Sequence, residues 1–92
     1  MGNNTVTFKS NTENYWKEKY GLKPNTFRKV DSKDGRFQML NDGDAKYIVI
    51  ENADIVSSET GSSTEYFMRV IKDRTYWDDY VIISWDEKDV LK

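Results

Sequence analysis

Residues 21–28 read Gly21-Leu22-Lys23-Pro24-Asn25-Thr26-Phe27-Arg28, and they lie between a predicted helix and a predicted strand. Because side chains alternate along a strand, Thr26 and Arg28 should point to one face of it. Lys23 precedes that strand and should lie at the mouth of any pocket on this face. The segment therefore predicts where the helix ends, where a strand begins and where a ligand binds.

The residues before this segment have the pattern of a strand followed by a short helix. Thr5–Phe8 alternates polar and apolar residues, as a strand does. Ser10-Asn11-Thr12-Glu13 has the S-x-x-E spacing of a capping box, and Gly21 and Pro24 provide the stop. We expect a helix of about ten residues, with its aromatic residues Tyr15, Trp16 and Tyr20 packed on the sheet.

After residue 28 the chain consists of short apolar segments separated by turn signals. The predicted strands are Thr26–Val30, Arg36–Leu40, Lys46–Glu51, Glu65–Lys72 and Tyr80–Trp85, with Asp54–Val56 as a possible extension. Tyr47–Ile50 is continuously apolar, which is typical of a central strand buried on both faces. Residues 57–64 should form a hairpin tip, Asp73–Asp79 a turn or a single helical turn, and residues 86–92 a frayed tail.

This pattern predicts one domain over residues 1–92. Its class is α+β, mainly β: a small closed or nearly closed barrel of five or six strands with one N-terminal helix. The chain has 14% aromatic residues, which favours a packed core over disorder. Ninety-two residues are too few for a second core.

Composition restricts the chemistry. The chain has no cysteine and no histidine, so disulfides, Cys or His zinc sites and Ser-His or Cys-His pairs are excluded. Lysine, carboxylates, tyrosine, serine and threonine remain as catalytic groups, and the sequence indicates no metal and no cofactor. No apolar run approaches the roughly 20 residues of a membrane span, and the N-terminus does not resemble a signal peptide. The prediction is therefore a cytoplasmic protein without a membrane partner.

Positive charge is concentrated around the quoted segment. The whole chain has a net charge of −2, which disfavours a general nucleic-acid binder. Residues 15–37 nevertheless contain seven Lys or Arg and three Asp or Glu, a local net charge of +4. This cluster predicts either a pocket for a phosphate, carboxylate or nucleotide, or a solvated surface of mixed charge.

The segment resembles the signature of ASCH domains, small β-barrels of the PUA-like superfold, whose usual motif is G-x-K-x-x-E-x-R. Thr26 stands where that motif has its acid. The ASCH amidohydrolases that deacetylate acetylcytidine also carry K-x-x-T-x-R, and they use the Lys and Thr with a Glu from later in the chain. The chain as a whole is similar to short ASCH-like domains of phages and prophages. The resemblance implies a nucleotide-related or RNA ligand, or acylcytidine hydrolysis.

Each residue of the motif has two interpretations. Lys23 is either a donor or general base at a pocket, or a solvated cation. Thr26 is either a nucleophile activated by Lys23, or a β-branched strand residue. Arg28 offers its donors either to a carboxylate or phosphate ligand, or to a carboxylate of the core. The amidohydrolase interpretation also requires a glutamate from later in the chain, and no position of this sequence aligns with it. The candidates are Glu51, Glu59 and Glu65.

Three functions fit these observations. The first is a binding module that recognises a nucleotide, a modified nucleoside or an RNA element through Lys23, Thr26 and Arg28. The second is an amidohydrolase of acylated cytidine. The third is a phage or prophage accessory protein that binds a host protein. One aromatic residue of the later strands could stack on a base, although most of these residues should form the core. The candidates are Tyr47, Tyr66, Phe67, Tyr76, Trp77 and Trp85. The oligomeric state remains open.

Overall fold

The computed structural model describes residues 4–55 and 65–90, with the backbone alone described for residues 86–90. In this part of the chain the elements follow in the order β1 (Thr5–Ser10), α1 (Thr12–Lys19), β2 (Asn25–Lys29), α2 (Gly35–Asp42), β3 (Tyr47–Asn52), β4 (Tyr66–Trp77) and β5 (Tyr80–Val90). The predicted mainly β architecture is confirmed, in the form of a curled half-barrel. Neither helix in the described ranges is long and apolar enough to cross a bilayer.

The five strands form one sheet in the order β1-β3-β4-β5-β2. β1 runs parallel to β3, and the other neighbouring pairs are antiparallel. β1 and β2 are therefore the two edges of the sheet, although only α1 and a short loop separate them in sequence. The Arg28 side chain of β2 donates hydrogen bonds to β1, so the curl of the sheet brings its two edges together.

Alternate strand residues face inward and form the core with residues of both helices. On β3, Ile48 and Ile50 are fully buried, whereas Tyr47 and Val49 are only partly buried. The prediction that this strand is buried on both faces is thus correct for one face only. The buried apolar residues are Val6, Phe8, Tyr15, Phe37, Leu40, Ala45, Ile48, Ile50, Phe67, Val81, Ile83 and Trp85.

The N-terminal helix is present, but its cap differs from the prediction. The side chain of Asn11 accepts a hydrogen bond from the backbone N–H of Asn14 and caps a helix of eight residues. Ser10 is the last residue of β1, and its hydroxyl donates to Glu18 instead. Asparagine caps a helix as well as serine does, so adjacent candidates could not be separated by spacing.

The segment Arg36–Leu40, predicted as a strand, is helical and lies within α2. Asp34 caps it by accepting from the backbone N–H of Arg36, and Gly43 ends it at φ 79°, a left-handed conformation that glycine adopts readily. Phe37 and Leu40, three residues apart, point together into the core. The capping residues and this spacing therefore override the two-residue alternation of Phe37 and Met39 that suggested a strand.

The C-terminal hairpin is longer than predicted. The segment 73–79, predicted as a turn, is strand as far as Trp77, and the turn is limited to Asp78 and Asp79. The backbone of β5 continues to Val90, where the sequence suggested a frayed tail over 86–92. β4 and β5 form a long antiparallel pair, and the backbone hydrogen bonds between them hold these polar segments in the strand conformation. Asp54 and Ile55 lie in a turn, and Val56 and the predicted tip at 57–64 lie outside the described residues.

Tyr15 provides a test of this packing at alkaline pH. Its ring is fully buried, and burial first, then the Glu65 carboxylate, raises the pKa of its hydroxyl to about 12. An unfolded tyrosine ionises near pH 10 and so binds fewer protons than the folded one between pH 10 and 12. Stability should therefore fall through that window. Between pH 9 and pH 11.5 the thermal midpoint of unfolding should therefore decrease less in Tyr15→Phe than in the wild type. An equal decrease in both proteins would contradict the raised pKa of Tyr15.

Candidate functional site

Lys23, Thr26 and Arg28 lie together, as the sequence predicts. They line an open pocket of about 240 Å³ at the gap between the two edge strands, beneath α1. We call it the Glu18 pocket, after the buried carboxylate described below. Its wall is almost entirely polar and consists of Lys9, Ser10, Asn11, Asn14, Glu18, Lys23, Thr26, Phe27 and Arg28.

The loop between α1 and β2 places Lys23 at the pocket. Gly21 has φ 81°, which turns the chain sharply after the helix. The backbone N–H of Lys23 then donates to the carbonyl of Lys17 at 3.0 Å, and the carbonyl of Pro24 accepts from Trp85 on β5 at 3.1 Å. These two hydrogen bonds fix the loop at both ends, so Lys23 is held at the mouth of the pocket.

Glu18 is the acidic residue of this site. Its side chain is 1% exposed although it lies on the last turn of α1. Oε1 accepts a hydrogen bond from Ser10 Oγ at 2.8 Å, and Oε2 is 3.7 Å from Lys23 Nζ, whose side chain is 34% exposed. The pocket therefore contains a buried carboxylate with a partly exposed ammonium group beside it.

The three predicted acid candidates do not line this pocket within the described residues. Glu51 alternates with Ile50 and Asn52 on β3 and so faces the opposite side of the sheet. Glu65 accepts a hydrogen bond from Asn52 Nδ2, and Glu59 lies outside the described residues. The sequence did contain a signal for Glu18, since it lies three residues after the aromatic Tyr15 and so shares the buried face of the helix.

Arg28 joins the two edges of the sheet. Its Nη1 donates to the carbonyl of Lys9 at 2.9 Å, and its Nη2 donates to Ser10 Oγ at 2.8 Å. Its Nε donates to Thr26 Oγ1 at 3.0 Å, and its guanidinium lies 5.0 Å from the centre of the Phe8 ring. These three hydrogen bonds go to a carbonyl and two hydroxyls of the chain itself, so Arg28 has a structural role, although its acceptors are not the core carboxylate that the sequence suggested.

The charges in the pocket partly compensate one another. Burial lowers the pKa of the Arg28 guanidinium, the nearby Glu18 carboxylate raises it, and Arg36 lowers it further. Glu18 therefore offsets part of the unfavourable desolvation of Arg28. Ser10 connects the two groups, because its hydroxyl accepts from Arg28 and donates to Glu18.

Thr26 is 1% exposed, on the inward-facing side of β2. Its Oγ1 accepts the hydrogen bond from Arg28 Nε, which leaves the hydroxyl proton to be donated elsewhere. Within the part of the chain that the structure describes, no group of three or more carboxylates gathers into a metal site.

No protein-family model matches this sequence, and neither does any curated protein.

Proposed function

We propose that this protein is a small binding module for a nucleotide, a modified nucleoside or an RNA element, whose base lies in the Glu18 pocket. The observation that carries the proposal is the pairing of a buried carboxylate with an ammonium group at 3.7 Å. That distance is longer than a hydrogen bond, so Glu18 and Lys23 both retain capacity to bind a ligand. Side by side, they present one hydrogen-bond acceptor and one donor.

The edge of a nucleobase matches this arrangement better than a phosphate does. A base presents donors and acceptors next to each other, and carboxylates are the side chains that accept from the amino group of cytosine. Lys23 and the Thr26 hydroxyl supply donors for a ring nitrogen and a carbonyl oxygen. A phosphate at the same place would meet the negative charge of Glu18. A cytosine-like edge is therefore the favoured ligand.

The size of the pocket supports a small group. Pockets for drug-sized ligands have volumes of roughly 300–1,000 Å³, and this one has about 240 Å³. One base fills such a space, while its sugar and phosphate would remain at the open mouth near Lys9 and Lys23.

Replacing Lys23 tests the proposal. We expect wild-type protein to bind cytidine or cytidine monophosphate in a calorimetric titration, and Lys23→Ala to bind at least about tenfold more weakly, since a hydrogen bond to a charged group contributes about 1.5–3 kcal/mol. The circular dichroism spectrum should stay native because Lys23 is partly exposed. Lys33→Ala, which removes an exposed lysine on the loop after β2, serves as the control. Equal binding by wild type and Lys23→Ala would overturn the assignment, as would the absence of binding to any nucleoside or nucleotide.

An amidohydrolase of acylated cytidine is the second candidate. Glu18 favours it, because this residue supplies an acid beside Lys23 and Thr26 that the sequence left unassigned. The hydrogen bond from Arg28 to Thr26 Oγ1 disfavours it, because a nucleophile that accepts from a guanidinium is less electron-rich. The same titration with acetylcytidine, followed by chromatography, distinguishes the two functions. Release of cytidine and acetate that stops in both Lys23→Ala and Thr26→Val would establish the enzyme, whereas binding without release supports the module.

A further inference from the structure

Three exposed aromatic residues form a cluster on the outer face of the sheet. Phe27, Trp77 and Tyr80 are 44%, 65% and 36% exposed. The ring centres of Phe27 and Tyr80 are 5.4 Å apart, and those of Phe27 and Trp77 are 6.5 Å apart. We call these three residues the aromatic platform.

The strand register explains why the platform faces outward. Lys29 of β2 is opposite Tyr80 of β5, and Tyr80 is opposite Trp77 of β4, so these side chains share a face. Phe27 lies on the same face as Lys29, whereas Thr26 and Arg28 alternate to the inward face. β2 therefore carries the platform on one side and the Glu18 pocket on the other.

Packing between strands accounts for only part of the cluster. Aromatic pairs across neighbouring strands stabilise a sheet, and the contact between Phe27 and Tyr80 is of this kind. Trp77 contributes little by this route, because about two thirds of its surface remains in water. Exposed aromatic groups of this size are typical of binding surfaces.

The platform is continuous with the pocket. Phe27 belongs to the platform and also lines the Glu18 pocket, so the two sites meet at the edge strand β2. Lys23 lies at the pocket and Lys29 lies beside the platform, so each of the two sites has a positively charged side chain. A ligand that extends from the pocket to the platform would follow the path between these two lysines. Asp78 and Asp79 form the turn beyond Trp77 and place negative charge at the far end of that path.

We infer that the ligand is a single-stranded nucleic acid, with one base in the Glu18 pocket and the next bases stacked on the aromatic platform. This inference rests on the proposed function and specifies its ligand. Stacking on aromatic side chains accepts any base, while the pocket selects one of them. The acidic turn limits the bound segment to a few nucleotides, because a longer strand would bring phosphates next to Asp78 and Asp79.

The experiment compares cytidine monophosphate with short single-stranded oligocytidylates, of RNA and of DNA, by titration and tryptophan fluorescence. We expect the oligonucleotide to bind at least about tenfold more tightly than the mononucleotide, since each stacked base adds an interaction of that size. Three phosphate contacts would give a slope of log affinity against log salt of about −2. Preference for the RNA or the DNA series identifies which nucleic acid is bound.

Trp77→Ala should remove the advantage of the oligonucleotide and leave binding of the mononucleotide unchanged. The control is Tyr76→Ala, since Tyr76 is similarly exposed on the same strand but on the opposite face. Asp79→Asn should tighten binding of the oligonucleotide, because it removes a negative charge near the phosphates. If the platform instead binds a basic protein segment, this variant should not increase the affinity for the oligonucleotide.

The outcomes separate the two proposals. Equal affinity for the mononucleotide and the oligonucleotide overturns the platform and leaves the base pocket intact. Oligonucleotide binding that survives Trp77→Ala also overturns the platform, and binding that survives Lys23→Ala overturns the pocket. If neither nucleic acid nor mononucleotide binds, both proposals are wrong.

Discussion

Replacing Glu18 with glutamine is expected to lower the free energy of unfolding by about 2–3 kcal/mol and to abolish binding of cytidine. Glutamine has nearly the same shape as glutamate but no charge. The change leaves the guanidinium of Arg28 without its compensating carboxylate and removes the partner of Lys23. Breaking a fully buried pair costs about 3–5 kcal/mol. The expected value is smaller here because Lys23 is 34% exposed and water replaces part of the lost attraction.

The same helix offers a matched control for this variant. Glu13 also pairs with a lysine, Lys17, at 3.1 Å, but its side chain is 78% exposed. Surface pairs of this type contribute about 0.3–0.5 kcal/mol, so Glu13→Gln should unfold at nearly the wild-type concentration of urea. Urea unfolding of both variants measures the difference directly. If Glu18→Gln were as stable as Glu13→Gln, the buried carboxylate would have no role in holding the edge strands together.

A double-mutant cycle adds the coupling between the two charged groups. Glu18→Gln, Lys23→Met and the double variant give the interaction free energy of the pair once the single effects are subtracted. We expect a coupling of about 1 kcal/mol, between the values for exposed and buried pairs. A coupling near zero would mean that the 3.7 Å separation is too long for the two charges to stabilise the fold.

Local periodicity predicted the strands that pack on the core, and turn chemistry predicted most of their connections. Periodicity predicted a strand at 36–40, but this segment is helical. The spacing of Phe37 and Met39 fits a strand, whereas the spacing of Phe37 and Leu40 fits a helix. The caps at Asp34 and Gly43 decided between the two. It also failed at 73–79, where the pairing partner β5 lies later in the chain and no local pattern reveals it.

Lys23, Thr26 and Arg28 line one pocket, and the carboxylate beside them belongs to Glu18 and not to any of the three glutamates that the sequence suggested. The resemblance to the ASCH amidohydrolases implies a glutamate that follows the motif, whereas Glu18 precedes it. A charged residue on the buried face of a helix was the available signal, because such a residue needs a partner. Arg28 differs in another respect: nothing in the sequence shows that β1 and β2 become adjacent edges.

Arg28→Ala is expected to reduce the free energy of unfolding by about 3 kcal/mol. The variant loses three hydrogen bonds and the contact with the Phe8 ring, and it leaves the carboxylate of Glu18 buried with less compensation. Part of the loss is recovered, since burial lowers the pKa of Arg28 and so makes its charged form unfavourable in the fold. Urea unfolding gives the net effect. Lys29→Ala, next in sequence but exposed on the outer face, should change stability by less than about 0.5 kcal/mol.

Arg28→Lys distinguishes charge from geometry at the same position. Lysine keeps the positive charge beside Glu18, but its single ammonium group cannot reach the Lys9 carbonyl, Ser10 Oγ and Thr26 Oγ1 together, as the planar guanidinium does. We therefore expect lysine to recover less than half of the stability that alanine loses. Amide hydrogen exchange locates the effect: in both variants β1 and β2 should exchange faster than β3, because only the edge strands lose a direct connection. Uniformly faster exchange in all strands would show that Arg28 stabilises the core as a whole and does not join the edges. Full recovery by lysine would show that the charge alone is what the pocket requires.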